Sequence, residues 1–312
     1  GSMGMKNLSR FIPLVLLLML VFTLCSCDKF FSPKENINRG KSEETELASS
    51  ESSLNSRDSL TDLNSGDNGS NTLANVPLTP YPYTKLNSSE LPDVAIIVDD
   101  FGYNGKLLER FAQELPAEVA FAVLPNLPYT RKAGEIASQY GHPVLIHIPM
   151  EGTGVQEKQC IKNNSSADEI TALLDDFYAQ LPMAVGANNH QGSSVTENRE
   201  IMTIILDWLN KHNLFFVDSA TSKNSLAQSL AYSRGYPALK RDIFLDVPDD
   251  TEQTLANKIS SLNKYQGRKE PIIIITHCHN EKKLSNLQSF IREIRSQGLH
   301  LTNIINAKNI AA

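Results

Sequence analysis

The chain is 312 residues long, carries a net charge of −6 and contains four cysteines. Acidic and basic residues are interspersed and no basic stripe runs through the sequence, which excludes nucleic acid as an expected partner. No cysteine pair has CxxC spacing, so a redox motif is excluded as well.

Residues Gly1 to Gly4 read as an expression scar ahead of a natural start at Met5 and are set apart from the fold. Lys6 and Arg10 then precede an apolar run from Phe11 to Leu24, which is short for a membrane span and reads as an export signal. Leu24-Cys25-Ser26-Cys27 resembles a bacterial lipobox, with Cys27 as the expected cleaved and lipidated N-terminus. An uncleaved signal anchor kinked at Pro13 is the alternative. Either leads to an extracytoplasmic protein tethered to a membrane, periplasmic or at the cell surface. Residues 28–92 are rich in Ser, Asn, Glu, Asp and Lys and predict a flexible tether, stiffened by proline near Val76 to Tyr83. The expected organisation is a leader over 1–27, a polar linker over 28–92 and a folded domain over 93–312. That domain, roughly 220 residues, has the size of one α/β barrel.

Within the domain, Val94 to Val98, Val119 to Leu124, Val144 to Ile146, Ala184 to Ala187, Leu214 to Val217, Asp242 to Leu245 and Ile272 to Ile275 read as strands. Strands of a parallel sheet are covered on both faces and run apolar without alternation. Helical patterns lie between them, at Gly105 to Glu114, Tyr129 to Tyr140, Ala167 to Gln180, Glu197 to His212, Ser222 to Arg234, Thr251 to Tyr265 and Glu281 to Gln297. The fourth sets Ile201, Ile204, Ile205, Trp208 and Leu209 on one stripe. Ser166, Thr196 and Asp250 stand at N-cap positions, and Gly141, Gly235 and Gly298 follow helix ends. A last strand, Leu299 to Ile305, is expected to close the ring. The predicted fold is α/β, a distorted parallel (β/α) barrel of seven to eight strands, with an open doubly wound sheet as the alternative. Asp99-Asp100-Phe101-Gly102 stands where a nucleotide-binding fold would carry a glycine-rich loop, so no nucleotide site is expected.

Of the first seven strands, all but the second end in residues able to bind metal or move a proton, and in a barrel those ends share one mouth. Adjacent carboxylates at Asp99 and Asp100 repel unless a cation resolves the repulsion. Because successive side chains point opposite ways, one can hold a metal while the other reaches a different part of the mouth. A helix-capping aspartate beside a solvated one is the plain structural alternative. His147, inside an apolar strand, is by itself well explained as a satisfied core residue. His190 and His277 also end strands, however, and two imidazoles with one carboxylate make a His-His-Asp set that leaves a fourth position for water. A divalent cation, Zn2+ foremost, is the expected cofactor. His142 precedes its strand and belongs to the opposite end of the barrel. Cys160 and Cys278 remain for an oxidising compartment, paired or free.

Ile97-Val98-Asp99-Asp100-Phe101-Gly102, Phe121-Ala122-Val123-Leu124-Pro125-Asn126, His147-Ile148-Pro149-Met150-Glu151, Asn188-Asn189-His190-Gln191-Gly192-Ser193, Phe215-Phe216-Val217-Asp218-Ser219 and Arg241-Asp242-Ile243-Phe244-Leu245-Asp246 occur in this order across nearly all of the domain. Together they resemble the divergent polysaccharide deacetylase family, a branch of the carbohydrate esterases built on a NodB-type barrel. The resemblance implies that Asp99 is the general base, that Asp100 ligates the metal with His147 and His190, and that His277 protonates the leaving amine, with His279 as a second candidate. The ordinary family draws both histidine ligands from one short segment, whereas here His190 comes from the next strand. That leaves room for Glu151 as a substitute ligand or substrate contact. By the same resemblance Arg241 orients Asp99, or else forms a surface salt bridge. Asp218 steers His277 or a substrate hydroxyl, or else caps a helix. Asn189, Glu151 and Asp246 are expected to touch substrate, and a backbone N–H between Pro125 and Leu127 to hold the oxyanion. The implied activity is metal-dependent hydrolysis of N- or O-acetyl groups on a cell-envelope polysaccharide or peptidoglycan. A non-catalytic glycan-binding scaffold and hydrolysis of another amide, such as a peptide stem, are the alternatives.

Overall fold

The computed structural model describes residues 86–311. The expected leader, Cys27 and the linker as far as residue 85 lie outside the described residues. Strands β1 (Val94–Phe101), β2 (Ala120–Val123), β3 (Val144–Met150), β4 (Gly186–Gln191), β5 (Phe215–Asp218), β6 (Ala238–Lys240), β7 (Ile243–Phe244) and β8 (Ile272–His277) form one sheet. Its order is β6-β5-β4-β3-β2-β1-β8-β7, and every pairing is parallel. The sheet curls into a half-barrel whose two edges, β6 and β7, are consecutive in the chain. Helices α1 (Leu108–Glu114), α2 (Thr130–Gln139), α3 (Ala167–Gln180), α4 (Arg199–Lys211), α5 (Ala227–Ser233) and α6 (Glu252–Ser261) lie in the crossovers, and α7 (Glu281–Ser296) and α8 (Ile304–Ala311) follow the last strand.

Alternation along the strands divides the core in two. Ile96, Val98, Phe121, Ile146 and Ile274 join the helices, packing with Phe111, Ile205, Leu287 and Phe290. Ala95, Ile97, Ala122, Leu145, Val217 and Ile275 point the other way and fill the interior. Each large aliphatic side chain buried in this manner contributes about 1.5–3 kcal/mol, which offsets the cost of the polar groups buried at the strand ends. Inward parity therefore passes up β1 from Ala95 and Ile97 to Asp99, and up β3 from Leu145 to His147.

Local signals set the helix starts. Ser166 accepts from the Glu169 N–H while Glu169 reaches back to the Ser166 N–H, a capping box that starts α3 where expected. At α4 the cap is Asn198 rather than Thr196, because the Thr196 hydroxyl is drawn inward to the Gly192 carbonyl at 2.9 Å. At α6 it is Thr251 rather than Asp250, with its hydroxyl accepting from the Thr254 N–H.

The expected closing strand at Leu299 to Ile305 is not formed. Only Leu301 makes a parallel bridge, to Val94, and the chain turns into α8. This helix places Ile304 and Ala307 in the interior cluster and packs on β1 and β6. A short apolar run has no decisive period, and burial inside the curl selects the helix. Strand β6 was not expected, since three residues are too few to carry a pattern. Cys160 and Cys278 are free thiols.

Candidate metal centre

The mouth begins with an irregularity in β1. Ile97 and Val98 pair with Ala120 and Phe121, but Phe101 pairs with Val123, so β1 carries one extra residue at Asp99 and Asp100. Asp100 takes a left-handed backbone, φ 71°, a conformation that aspartate tolerates better than most residues. Strict alternation would send the two carboxylates apart. The bulge instead aims both into the mouth, where His147 Nε2 lies 3.2 Å from Asp100 Oδ1 and 3.7 Å from Asp99 Oδ2. Within that mouth Asp100 joins His147 and His190, while Asp99 Oδ1 accepts from Asn188.

Three donor atoms meet at one place. His190 Nδ1 is 3.0 Å from Asp100 Oδ1 and 3.1 Å from His147 Nε2. Among the described residues, Asp100, His147 and His190 are the group whose ligand atoms all lie within 4.8 Å of one another. Tetrahedral nitrogen and oxygen ligands at about 2.0–2.1 Å from an ion stand roughly 3.3 Å apart, close to these separations. Asp100 Oδ1 is buried and accepts no hydrogen bond, although both ring nitrogens approach it. A buried carboxylate oxygen met by two imidazole nitrogens at 3.0 and 3.2 Å, without a well-formed hydrogen bond to either, is the donor set that a divalent cation satisfies. The other oxygen, Oδ2, accepts from His279 Nε2 at 2.6 Å.

Electrostatics differ along the strand ends. Burial raises the Asp99 carboxyl above its ordinary range, against the pull of His147 and His277. Burial opposes ionisation of Asp100 too, but His147, His190 and His279 outweigh it and hold that carboxyl well below the usual value. Burial likewise disfavours a charged His147, yet Asp99 and Asp100 raise its pKa. His277 is pushed up to about 9: burial works against its charge, and Asp246 reverses the balance with Oδ2 3.0 Å from Nδ1.

The remaining expected site residues divide by what they touch. Asp246 serves His277, pairs with Lys283 and accepts from the His277 N–H. Its oxygens are thus taken up inside the protein, a correction to its expected substrate contact. The steering of His277 expected of Asp218 falls to Asp246. Asp218 Oδ1 accepts from the Ala220 N–H at 2.8 Å, while its Oδ2 is buried without a hydrogen bond. It does not cap α5, whose N-cap is Leu226. Arg241 donates to the Ser219 and Ala220 carbonyls and lies 3.6 Å over the Phe244 ring, fastening the β5 end to β7. The bond to Asp99 Oδ1 comes from Asn188 Nδ2, at 2.8 Å.

Asn189 is corrected from substrate contact to internal clamp. Its outward parity turns it from the mouth, where it donates to the Gln191 carbonyl and Thr221 and accepts from the Ser219 N–H at 2.8 Å. Glu151 lies outside the ligand triangle. Its Oε2 accepts from the Asn163 backbone and side chain, holding the loop after β3. His142 sits where expected, at the far end of β3, its ring nitrogens facing the Val119 and Ala112 carbonyls. Sequence reasoning missed Asn188 and Lys283. The first shares the inward parity of His190 and was open to reading, whereas the second, on α7, gave no signal. Beside the triangle a pocket opens between Asp100 and His279 on one side and Tyr103, Asn104 and Leu107 on the other.

Comparison with known proteins supplies the lineage. The uncharacterized protein YibQ of Escherichia coli K12 is 38% identical over 155 residues, 49% of this chain and 48% of that protein. An uncharacterized protein of Haemophilus influenzae Rd is 33% identical over 166 residues, 53% of this chain and 59% of that protein. The chain thus spans about half the length of the curated relatives it matches. The crystal structure of an uncharacterized protein from Agrobacterium tumefaciens C58 shares the fold, with a TM-score of 0.64 at 19% identity, covering 75% of this chain and 94% of that one. The family model described as divergent polysaccharide deacetylase matches residues 96–306, more than half of the sequence. The chain is therefore a member of the divergent polysaccharide deacetylase family.

Proposed function

We propose that this protein is a metal-dependent deacetylase of a cell-envelope polysaccharide or peptidoglycan, with Asp100, His147 and His190 holding the cation. The observation that carries the reading is the buried, unbonded Asp100 Oδ1 facing two imidazole nitrogens. A bound divalent cation, with Zn2+ the expected species for this donor set, would polarise the acyl oxygen and make an attacking water acidic near neutral pH. Asp99 flanks the same point, and its raised pKa suits a base that takes the proton from that water. His277, opposite Asp99 in the β1 and β8 register, is kept protonated at neutral pH by Asp246 and can give its proton to the leaving amine. Each proton transfer is worth about 10²–10⁴-fold in rate. Tyr103, 43% exposed at the pocket edge, offers an aromatic face to a sugar ring.

The test is acetate release from chitooligosaccharides, peptidoglycan and acetylated xylan by zinc-loaded protein. Asp100→Ala should lose stoichiometric zinc and all turnover. Asp99→Asn should keep the zinc and lose about 10²–10⁴-fold in kcat. Loss of a group other than acetyl from wall fragments would redirect the reading to another amide. Glycan retention without acetate release would make the protein a binding scaffold. Export and lipidation at Cys27 complete the proposal, and mass spectrometry of the N-terminal peptide from a membrane fraction tests them.

A further inference from the structure

We propose that Asn188 is the positioning residue of the metal centre, a single amide that selects the atom His147 offers to the cation and anchors Asp99 beside it. The inference rests on the reading of Asp100, His147 and His190 as ligands. Asn188 is fully buried and stands opposite His147 in the β3 and β4 register, two residues before His190. Strand β4 thereby supplies one ligand and the outer partner of another from successive inward positions.

The chemistry of each neighbour dictates the orientation of the amide. The Asn188 NH2 donates to Asp99 Oδ1 at 2.8 Å. The same group lies 3.3 Å from the Ser219 hydroxyl. The amide carbonyl is then left to face the His147 ring, with Oδ1 2.8 Å from Nδ1. Nδ1 must carry the proton and donate it. Nε2 is thus the nitrogen that presents a lone pair, at the corner shared with Asp100 Oδ1 and His190 Nδ1. The flipped amide would set a carbonyl against the Asp99 carboxylate, a repulsive contact in a buried site, and would offer Nδ1 a donor in place of an acceptor. Partners of this kind fix the tautomer and orientation of a ligating imidazole, and their loss typically weakens metal binding by about 10–100-fold.

The experiment is zinc titration of the full chain against a competing chromophoric chelator, with long-range proton–nitrogen spectra of the histidines in the zinc-loaded state. Wild type should bind one zinc through His147 Nε2 with a slowly exchanging Nδ1–H, and His147→Ala should lose it. Asn188→Leu, close in volume but without an acceptor, should bind zinc about 10–100-fold more weakly and expose the Nδ1 proton to exchange. Asn188→Asp restores an acceptor for Nδ1–H but sets a second carboxylate against Asp99, so it should keep the slow Nδ1–H exchange that the leucine variant loses, a recovery that a purely packing role would not produce. Leucine-variant affinity equal to wild type overturns the role of Asn188 alone. So does a wild-type spectrum with the metal on Nδ1, which needs no variant to fold. Wild type that binds no zinc, or His147→Ala that still binds it, overturns the metal reading and this inference together.

Discussion

Replacing Asp246 with asparagine should discharge His277 while preserving the shape of the β7 end. Burial opposes the imidazolium, and Asp246 heads the groups that lift its pKa from 6.5 to about 9. At about 1.4 kcal/mol per pH unit, that net rise corresponds to about 3 kcal/mol, shared among Asp246, Asp100 and Asp99 after burial has worked against them. His277 is raised in the folded protein, so its share of stability is fully present below about pH 6.5 and fades as pH climbs through about 9. Asp246 is held well below its ordinary value, so its share is present above about pH 4 and is lost as pH falls further. The gap in unfolding free energy between wild type and Asp246→Asn should therefore be widest near pH 5–6 and narrow above pH 9. A part due to Lys283, which loses its carboxylate, should persist. Urea unfolding of chelator-treated protein at pH 5.5 and pH 10 measures the gap, and proton NMR of the His277 ring follows its titration. A gap of equal size at both pH values, or His277 titrating at the same pH in both proteins, would refute the reasoning. Under the proposed deacetylase activity the alkaline limb of kcat should move to lower pH.

Asn189→Ala should cost about 2–3 kcal/mol in urea unfolding, because the Ser219 N–H is left buried without its acceptor, and should leave zinc affinity unchanged. A loss of zinc equal to that of Asn188→Leu would mean that strand parity does not separate the two asparagines. In Gly186→Ala the added Cβ would meet the Phe215 carbonyl at 2.7 Å. Backbone cannot yield as a side chain can, so destabilisation of about 1–3 kcal/mol is expected, visible as a lowered urea midpoint. A midpoint at or above wild type would show that β4 and β5 can separate without cost.

Much of the scaffold was written locally. Helix α3 has its capping box and its bounds in the sequence, and β1, β3 and β8 are apolar runs long enough to be read as buried parallel strands. Those runs carry Asp99 and Asp100, His147 and His277, and β4 carries His190, so these candidates were legible in the sequence without their geometry. Strand β6 and helix α8 could not, because a three-residue strand has no pattern and the Leu299 to Ile305 run suits either conformation until the interior of the curl selects one.

Parity would have separated Asn188 from Asn189 on paper, for residues two apart on a strand share a face and His190 was already assigned inward. Three outcomes needed the tertiary structure. The bulge that turns both Asp99 and Asp100 into the mouth depends on the register of β1 against β2, a relation between distant segments. The choice of Asp246 over Asp218 for His277 depends on β7 lying beside β8 at one edge of the sheet. Asn188 on β4 reaches Asp99 on β1 only because the sheet curls across the two strands between them. Residue chemistry and strand ends are properties of neighbours in sequence, while the register and curvature that bring Asp100, His147 and His190 to 3.0–3.2 Å of one another arise when the two faces of the sheet are packed at once.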